Sequence, residues 1–262
     1  MKIHLRPAHT LAITLFAAIL PISGTLLADN HAPAPQTFVL ESFACTYNGS
    51  NDAGDLNAAR DAYVKAADKA GITKPRSLVW NRFKGGPDID FLWFNIHPDL
   101  AAFASHTNDM MRSDMAGAVD KFDAMADCST SNVSNALVLF AGGEPPVTNP
   151  PGVVESYGCF FAPGRGPADL PDLGGHIAGV SGSLENNESL VLIGTEPMTP
   201  GPGTPDRFLF GVHEDMDTWA ARTTALRASP DGQQMLRHFG SVFGNCYAAL
   251  WSTQQMVEGD QE

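Results

Sequence analysis

The side chains best suited to acid–base chemistry in this 262-residue chain are His97, His213 and Glu41, with Glu155 beside them. An imidazole titrates near neutrality, so each histidine could serve as a general base or as a ligand. A carboxylate on a buried strand is costly unless it is paired or neutralised, and a site that keeps one often tunes it for proton transfer. Each of these residues also has a plainer role. His97-Pro98-Asp99 and His213-Glu214-Asp215 put the histidines just before helix starts, where they would cap the turn, and the sequence favours that role. Glu41 and Glu155 would be held by a salt bridge to Arg82 or Arg207 or lie exposed at a strand end. Trp80, Trp93, Trp219 and Trp251 read as core. Trp80 and Trp93 also fall on strands expected to pair, where they would line a ligand pocket with Asn95 and Arg207.

The elements that carry these residues are written twice. Glu41-Ser42-Phe43-Ala44-Cys45 returns as Glu155-Ser156-Tyr157-Gly158-Cys159, and Asp90-Phe91-Leu92-Trp93-Phe94-Asn95-Ile96-His97 returns as Asp206-Arg207-Phe208-Leu209-Phe210-Gly211-Val212-His213. Cys128 returns as Cys246, and offsets of 114, 116 and 118 residues keep the order with short insertions. A period of this kind decides the architecture before any single element does. In the first copy, alternation predicts strands over 38–47, 77–83, 91–97 and 135–140. Asp55 is expected to cap a helix that Gly71 ends. Pro98 is expected to open a second helix, broken near Ser113 and reaching Ala126. The second copy predicts strands over 153–161, 190–195, 207–213 and 247–252, with helices over 169–181 and 214–239, the latter broken near Ser229-Pro230. Each copy therefore reads β-α-β-β-α-β, the ferredoxin-like unit, and the fold class is α+β.

The boundaries follow from composition. Residues 1–28 read as a secretory signal peptide, with Lys2 and Arg6 ahead of an apolar run and cleavage expected after Ala28. Residues 29–36 read as a disordered lead-in, 37–141 as the first repeat, 142–152 as a Pro/Gly-rich linker, 153–256 as the second repeat, and 257–262 as an acidic, frayed tail. The expected setting is periplasmic or secreted, with no membrane association after cleavage. The formal net charge of −13 repels nucleic acid and suits neutral or cationic ligands. The four cysteines of an exported chain should be oxidised. One cysteine near each end of each repeat selects Cys45–Cys128 and Cys159–Cys246.

Strand alternation also assigns faces. Leu92, Phe94 and Ile96, matched by Phe208, Phe210 and Val212, form a uniformly apolar face expected to pack on the helices. Phe91, Trp93, Asn95 and His97, matched by Arg207, Leu209, Gly211 and His213, form a mixed face expected to look into the space between two sheets. The copies differ most at Trp93 and Asn95 against Leu209 and Gly211, and at Phe91 against Arg207.

Two such units in tandem resemble the dimeric α/β-barrel superfamily, in which two ferredoxin-like sheets pack face to face. The resemblance spans about residues 37–255 and rests on element order and duplication rather than on a motif. It implies a pseudo-dimeric barrel within one chain, either monomeric or self-associating. The superfamily contains cofactor-independent monooxygenases, haem-binding enzymes, isomerases and stress-response proteins, so it assigns no activity. His106 falls in the second helix of the first copy, where haem-binding relatives could ligate iron, but no signature accompanies it and no cofactor or metal is expected. Asn48–Asp55 is not an EF-hand loop, because its sixth and twelfth positions are Ala53 and Ala59. Gly164-Arg165-Gly166-Pro167 lacks the dinucleotide-binding pattern, and neither a Gly-x-Ser-x-Gly elbow nor a His-Glu-x-x-His helix occurs. The leading expectation is a protein that binds a small, largely apolar molecule. The alternatives are a cofactor-independent enzyme of the monooxygenase or isomerase kind, using His97 or His213 with Glu41, and a purely structural exported protein.

Overall fold

Eight antiparallel strands form a closed barrel in the order β1-β3-β2-β8-β5-β7-β6-β4. The computed structural model of the protein describes residues 37–86, 88–142, 152–185, 187–201 and 203–260. The expected signal peptide, the lead-in and most of the linker lie outside these. The first half contributes β1 (Thr37–Tyr47), α1 (Ala53–Ala70), β2 (Arg76–Gly85), β3 (Phe91–His97), α2 (Leu100–Met110), α3 (Ala116–Met125) and β4 (Ala126–Ala141). The second contributes β5 (Val153–Phe161), α4 (Leu170–Ser183), β6 (Val191–Pro197), β7 (Arg207–His213), α5 (Met216–Ala228), α6 (Pro230–Val242) and β8 (Phe243–Val257).

Local chemistry sets most boundaries. Asp52, not Asp55, caps α1: its carboxylate accepts from Gly54 N at 2.7 Å, while Asp55 accepts from Asp52 N at 3.0 Å to complete a capping box. Gly71 ends the helix in the left-handed conformation, at φ 65°. Asp99 and Asp215 cap α2 and α5 by accepting from Ala102 N and Thr218 N at 2.8 and 2.7 Å. The caps are thus aspartates, and His97 and His213 do not perform that task. Pro98 precedes the cap instead of opening the helix. The expected breaks are present, between α2 and α3 and at Ser229, whose hydroxyl caps α6.

The largest departure from expectation is the length of β4 and β8, at 16 and 15 residues. Their early segments, such as Ser131-Asn132-Val133-Ser134, are too polar to read as strand. Register explains them. The early part of β4 pairs with β1, from Tyr47↔Ala126 to Thr37↔Leu137, and its later part also pairs with β6, from Ser134↔Pro197 to Ala141↔Val191. Similarly, β8 pairs with β5 and runs on beside β2 as far as Ser77↔Val257. These two strands therefore stitch the halves together at their edges. The expected pair of facing sheets is one continuous barrel without free edges. Beyond β8, Asp260 N donates to Lys74 O, and the Asp260 carboxylate accepts from Lys74 N at 3.0 Å and lies 3.0 Å from Lys74 Nζ.

Closure inverts the expected faces. Leu40, Trp80, Phe94, Ala136, Val154, Phe210, Ala249 and Trp251 fill the barrel, with Leu92, Ile96, Phe208 and Val212 against them. The ring of Trp80 lies 4.2 Å from Phe94 and 4.9 Å from Phe210, joining the two halves across the lumen. The mixed face points outward, under the helices: Phe91 and Trp93 pack with Leu56 and Ala59 of α1 and Met125 of α3. A lumen closed by hydrogen-bonded strands offers no water and few spare partners, so it takes the uniformly apolar face. The helix layer leaves a cavity over the outer face, and the polar residues lie beside it.

Two disulfides, Cys45–Cys128 and Cys159–Cys246, join β1 to β4 and β5 to β8 as the repeat implied. They suit an oxidising compartment. No helix among the described residues is long and apolar enough to cross a membrane. The disulfides close loops of 83 and 87 residues. In the chain-entropy model each contributes roughly 4 kcal/mol. Cys45→Ala/Cys128→Ala should lower the urea-unfolding free energy by about that amount, and a non-reducing digest of the unaltered protein should link Cys45 to Cys128.

Candidate functional site

A cavity of about 480 Å³ lies between the outer face of the sheet and α1, α2 and α3. The sheet contributes Glu41, Phe43, Trp93 and Asn95, and the helices contribute Ala59, Tyr63, His106, Met110, Val119 and Phe122. Register sets the polar floor: Glu41 of β1 stands opposite Asn95 of β3, which stands opposite Ser77 of β2.

Asn95 is the hub of this floor. Its Oδ1 accepts from Ser77 Oγ at 2.7 Å and from Trp93 Nε1 at 2.8 Å. An indole N–H can only donate, so the atom facing it must be the amide oxygen. The amide nitrogen therefore turns to Glu41, whose Oε2 accepts at 2.8 Å. Glu41 is thus held by an amide, and not by the Arg82 or Arg207 salt bridge expected from sequence. Arg82 pairs with Asp88 and Arg207 with Glu196.

Behind Glu41 lies His97, fully buried, with Nε2 3.7 Å from Glu41 Oε2 and no hydrogen-bond partner on either ring nitrogen. His106 reaches down from α2, 5.5 Å from His97 between ring centroids, and its Nδ1 is likewise buried and unpartnered. Burial, and then the neighbouring His97, lower the His106 pKa, while Glu41 and Asp109 oppose the shift. Tyr63 stands edge-on to His106 with its hydroxyl buried and unpartnered. Burial pushes the Tyr63 phenol up, and the charges of Asp260, Glu41 and Asp109 add to it. Four groups able to carry a proton, Glu41, His97, His106 and Tyr63, are therefore assembled in one apolar setting.

The second half builds the same positions differently. Tyr157 donates its hydroxyl to Glu155. Asn95 is replaced by Gly211, where an added Cβ would sit 3.2 Å from His213 Nε2. His106, nine residues after His97, is replaced by Arg222, nine residues after His213. Arg222 Nη1 donates to His213 Nδ1 at 3.3 Å, and Nη2 donates to Ser189 at 2.9 Å. A guanidinium only donates, so His213 accepts at Nδ1 and is neutral. Burial, and then the Arg222 charge, bring its pKa to about 4.

Of the residues singled out from sequence, Glu41, Trp93 and Asn95 meet at the cavity and His97 lies behind them. Trp80 fills the barrel lumen instead, and Arg207 sits at the rim of the second half over the Phe161 ring. Neither can line this cavity, because Trp80 belongs to the inward face and Arg207 to the other copy. Phe91, the counterpart of Arg207, is buried beside Tyr47. Ser77 and Tyr63 were not legible as site residues. For His106, the shared nine-residue spacing after each strand-end histidine was the available signal. A haem does not fit this lining: His106 could meet the iron, but the propionates would need cations. The lining offers Arg60, already bonded to Asp61, and adds the carboxylates of Glu41 and Asp123.

Similar solved structures agree with the barrel. A putative monooxygenase from Fusobacterium nucleatum subsp. nucleatum aligns over 86% of this chain and 94% of its own, at TM-score 0.53 and 13% identity. An anthrone oxidase-like protein aligns over 85% and 94%, at TM-score 0.52 and 12% identity. The shared barrel agrees with the resemblance to the dimeric α/β-barrel superfamily. No protein-family model matches the sequence, and no curated protein matches at a significant level. At such identity the dimeric α/β-barrel likeness carries the fold alone, so the site must be argued from its own residues.

His213 makes stability depend on pH. Its folded-state pKa of about 4 lies below the ordinary 6.5, so on acidification the unfolded chain binds the proton first. The contribution is complete above pH 6.5 and declines as pH falls to about 4, by roughly 3 kcal/mol. Urea midpoints from pH 7 to 4 should fall less steeply in His213→Gln than in the unaltered protein; identical slopes would remove His213 from this account.

Proposed function

We propose that the chain binds a small, largely apolar aromatic molecule carrying a hydrogen-bond donor, in the cavity between sheet and helices of its first half. The observation that carries this reading is the Glu41 carboxylate, held by Asn95 and facing a cavity of about 480 Å³ whose walls are mostly apolar. The size is that of a small-molecule site, and the few convergent polar groups are its usual companions. The Glu41 carboxylate accepts from Asn95 and offers its oxygens as acceptors, which suits a ligand that donates. The net charge of −13 disfavours an anion. Trp93, Phe122, Phe43 and Tyr63 supply ring edges and faces suited to an aromatic body. A packed, ligand-free structural role accords with the barrel lumen but leaves this cavity without a purpose.

The cavity belongs to one of two units that we read as a tandem ferredoxin-like duplication. Matching strand orders, β4-β1-β3-β2 and β8-β5-β7-β6, support that reading. The partner that such a sheet needs is supplied in cis, so a monomer suffices. Export to the periplasm or beyond accords with the two disulfides.

2-Naphthol and 2-methoxynaphthalene test the proposal by calorimetry, because the ether replaces the donor hydrogen with a methyl group on the same ring system. Naphthol should bind once per chain and its ether at least about tenfold more weakly, a difference of about 1.4 kcal/mol. Val119→Trp, which fills the cavity, should abolish both. Undiminished binding in that variant would place the ligand elsewhere and sink the reading, and equal affinities would remove the donor requirement.

A second reading is supported by the Glu41–His97 separation of 3.7 Å and by a fold shared with a putative monooxygenase and an anthrone oxidase-like protein. Here Glu41 takes a proton from a weakly acidic C–H or O–H, and the resulting anion reduces dioxygen without a cofactor. With anthrone the balance closes: C14H10O and O2 give anthraquinone, C14H8O2, and water. Oxygen uptake should match anthrone consumed and fall to the uncatalysed rate in Glu41→Gln. Uptake no faster than in buffer would leave binding alone.

A further inference from the structure

A second cluster of ligating side chains lies away from the cavity, between α4 and α6 of the second half. His176 Nδ1 and His238 Nδ1 are 3.1 Å apart, with ring centroids 5.4 Å apart and planes inclined by 37°. Both rings are half-buried and reachable from solvent. No histidine stands at the corresponding places of the first half, so the pair is not a relic of the duplication.

An N–H···N hydrogen bond can join such rings, but the same arrangement suits a cation. Two imidazole nitrogens at 2.0–2.1 Å from zinc, at a near-tetrahedral angle, are separated by about 3.3 Å. The observed 3.1 Å lies within a few tenths of that spacing, so a metal could replace the shared proton with little movement of either helix. Asp172 lies one turn before His176 on α4, and helical side chains lean toward the N-terminus, which brings His176 over Asp172. Asp169 is near enough to His238 to feel it. Its carboxyl is held low first by the Gly166 N–H, next by Arg165, and last by that imidazole. Bonds to Gly166 N and Arg165 at 2.9 and 2.8 Å commit Asp169, so it contributes field rather than coordination. Among the described residues no three His, Cys, Asp or Glu side chains converge on one metal position. A cation between the two rings would therefore have two protein ligands and open positions for water, with Asp172 one helical turn from His176. The chain's net charge of −13 draws divalent cations toward it.

We propose that His176 and His238 form a binding site for a borderline divalent cation of the zinc class, bridging α4 and α6. Imidazole pairs favour zinc, copper, nickel and cobalt over magnesium or calcium, which prefer oxygen. The proposal does not depend on what the cavity binds.

Zn2+ is the probe, titrated calorimetrically into the full disulfide-bonded chain. His176→Ala and His238→Ala should each weaken binding at least about tenfold, and Asp172→Asn should weaken it less. Zinc should raise the melting temperature of the unaltered protein and not of either histidine variant. Urea midpoints without zinc check that the variants fold. In the unaltered protein, the Nδ1 nitrogen resonances of His176 and His238 should shift on zinc addition. Unchanged zinc affinity in the double variant, or shifts confined to other histidines, would overturn the site.

Discussion

Barrel closure is the constraint on which the other features rest. The two hydrogen-bonded seams, β2 to β8 and β4 to β6, remove the free edges of the described strands and enclose a lumen lined by apolar side chains. One face of each strand is thereby committed to apolar packing. Trp80, Phe94 and Phe210 meet there, one half against the other. The remaining face is left for the helices, and that is where Glu41, Asn95 and His97 lie. The site is on the outside of the barrel because the inside has no place for it.

Within that layer the halves have diverged through a few replacements. Asn95 gathers Ser77, Trp93 and Glu41 into one network, whereas Gly211 has no side chain with which to do so. Arg222 brings a permanent cation to His213, while His106 brings a titratable ring to His97. In the second half Glu155 and His213 are consequently each given a hydrogen-bond partner. The first retains unpartnered nitrogens beside a cavity. Buried polar atoms without partners carry a cost, and their concentration at one place is what marks the first half as the working one.

Much of the fold was legible in the sequence. The strands Phe91–His97, Val153–Phe161 and Arg207–His213 have the expected ends, because alternating apolar residues bounded by turn formers leave little choice. The disulfide pairing followed from the repeat. Elements specified by long-range pairing were misjudged: the polar early part of β4 is a strand because β1 lies beside it, not because its residues prefer to be. The capping error at Asp55 was one of neighbouring candidates, since two aspartates three apart each take half of the same box.

For the site, the sequence by itself determined which chemistry is available: a glutamate on one strand and an asparagine and a histidine on one face of another, repeated imperfectly, so that the unequal positions Trp93 and Asn95 could be picked out. Alternation states which residues share a face, but it carries no information about which way that face points. Only the tertiary structure decided that direction, by closing the barrel through seams between residues far apart in the chain, such as Ser134 with Pro197 and Ser77 with Val257. The same closure removed Trp80 from the site and, with the helices laid over the outer face, brought in Ser77, Tyr63 and His106. Contacts of that range depend on how whole elements stack, and a linear pattern does not encode them.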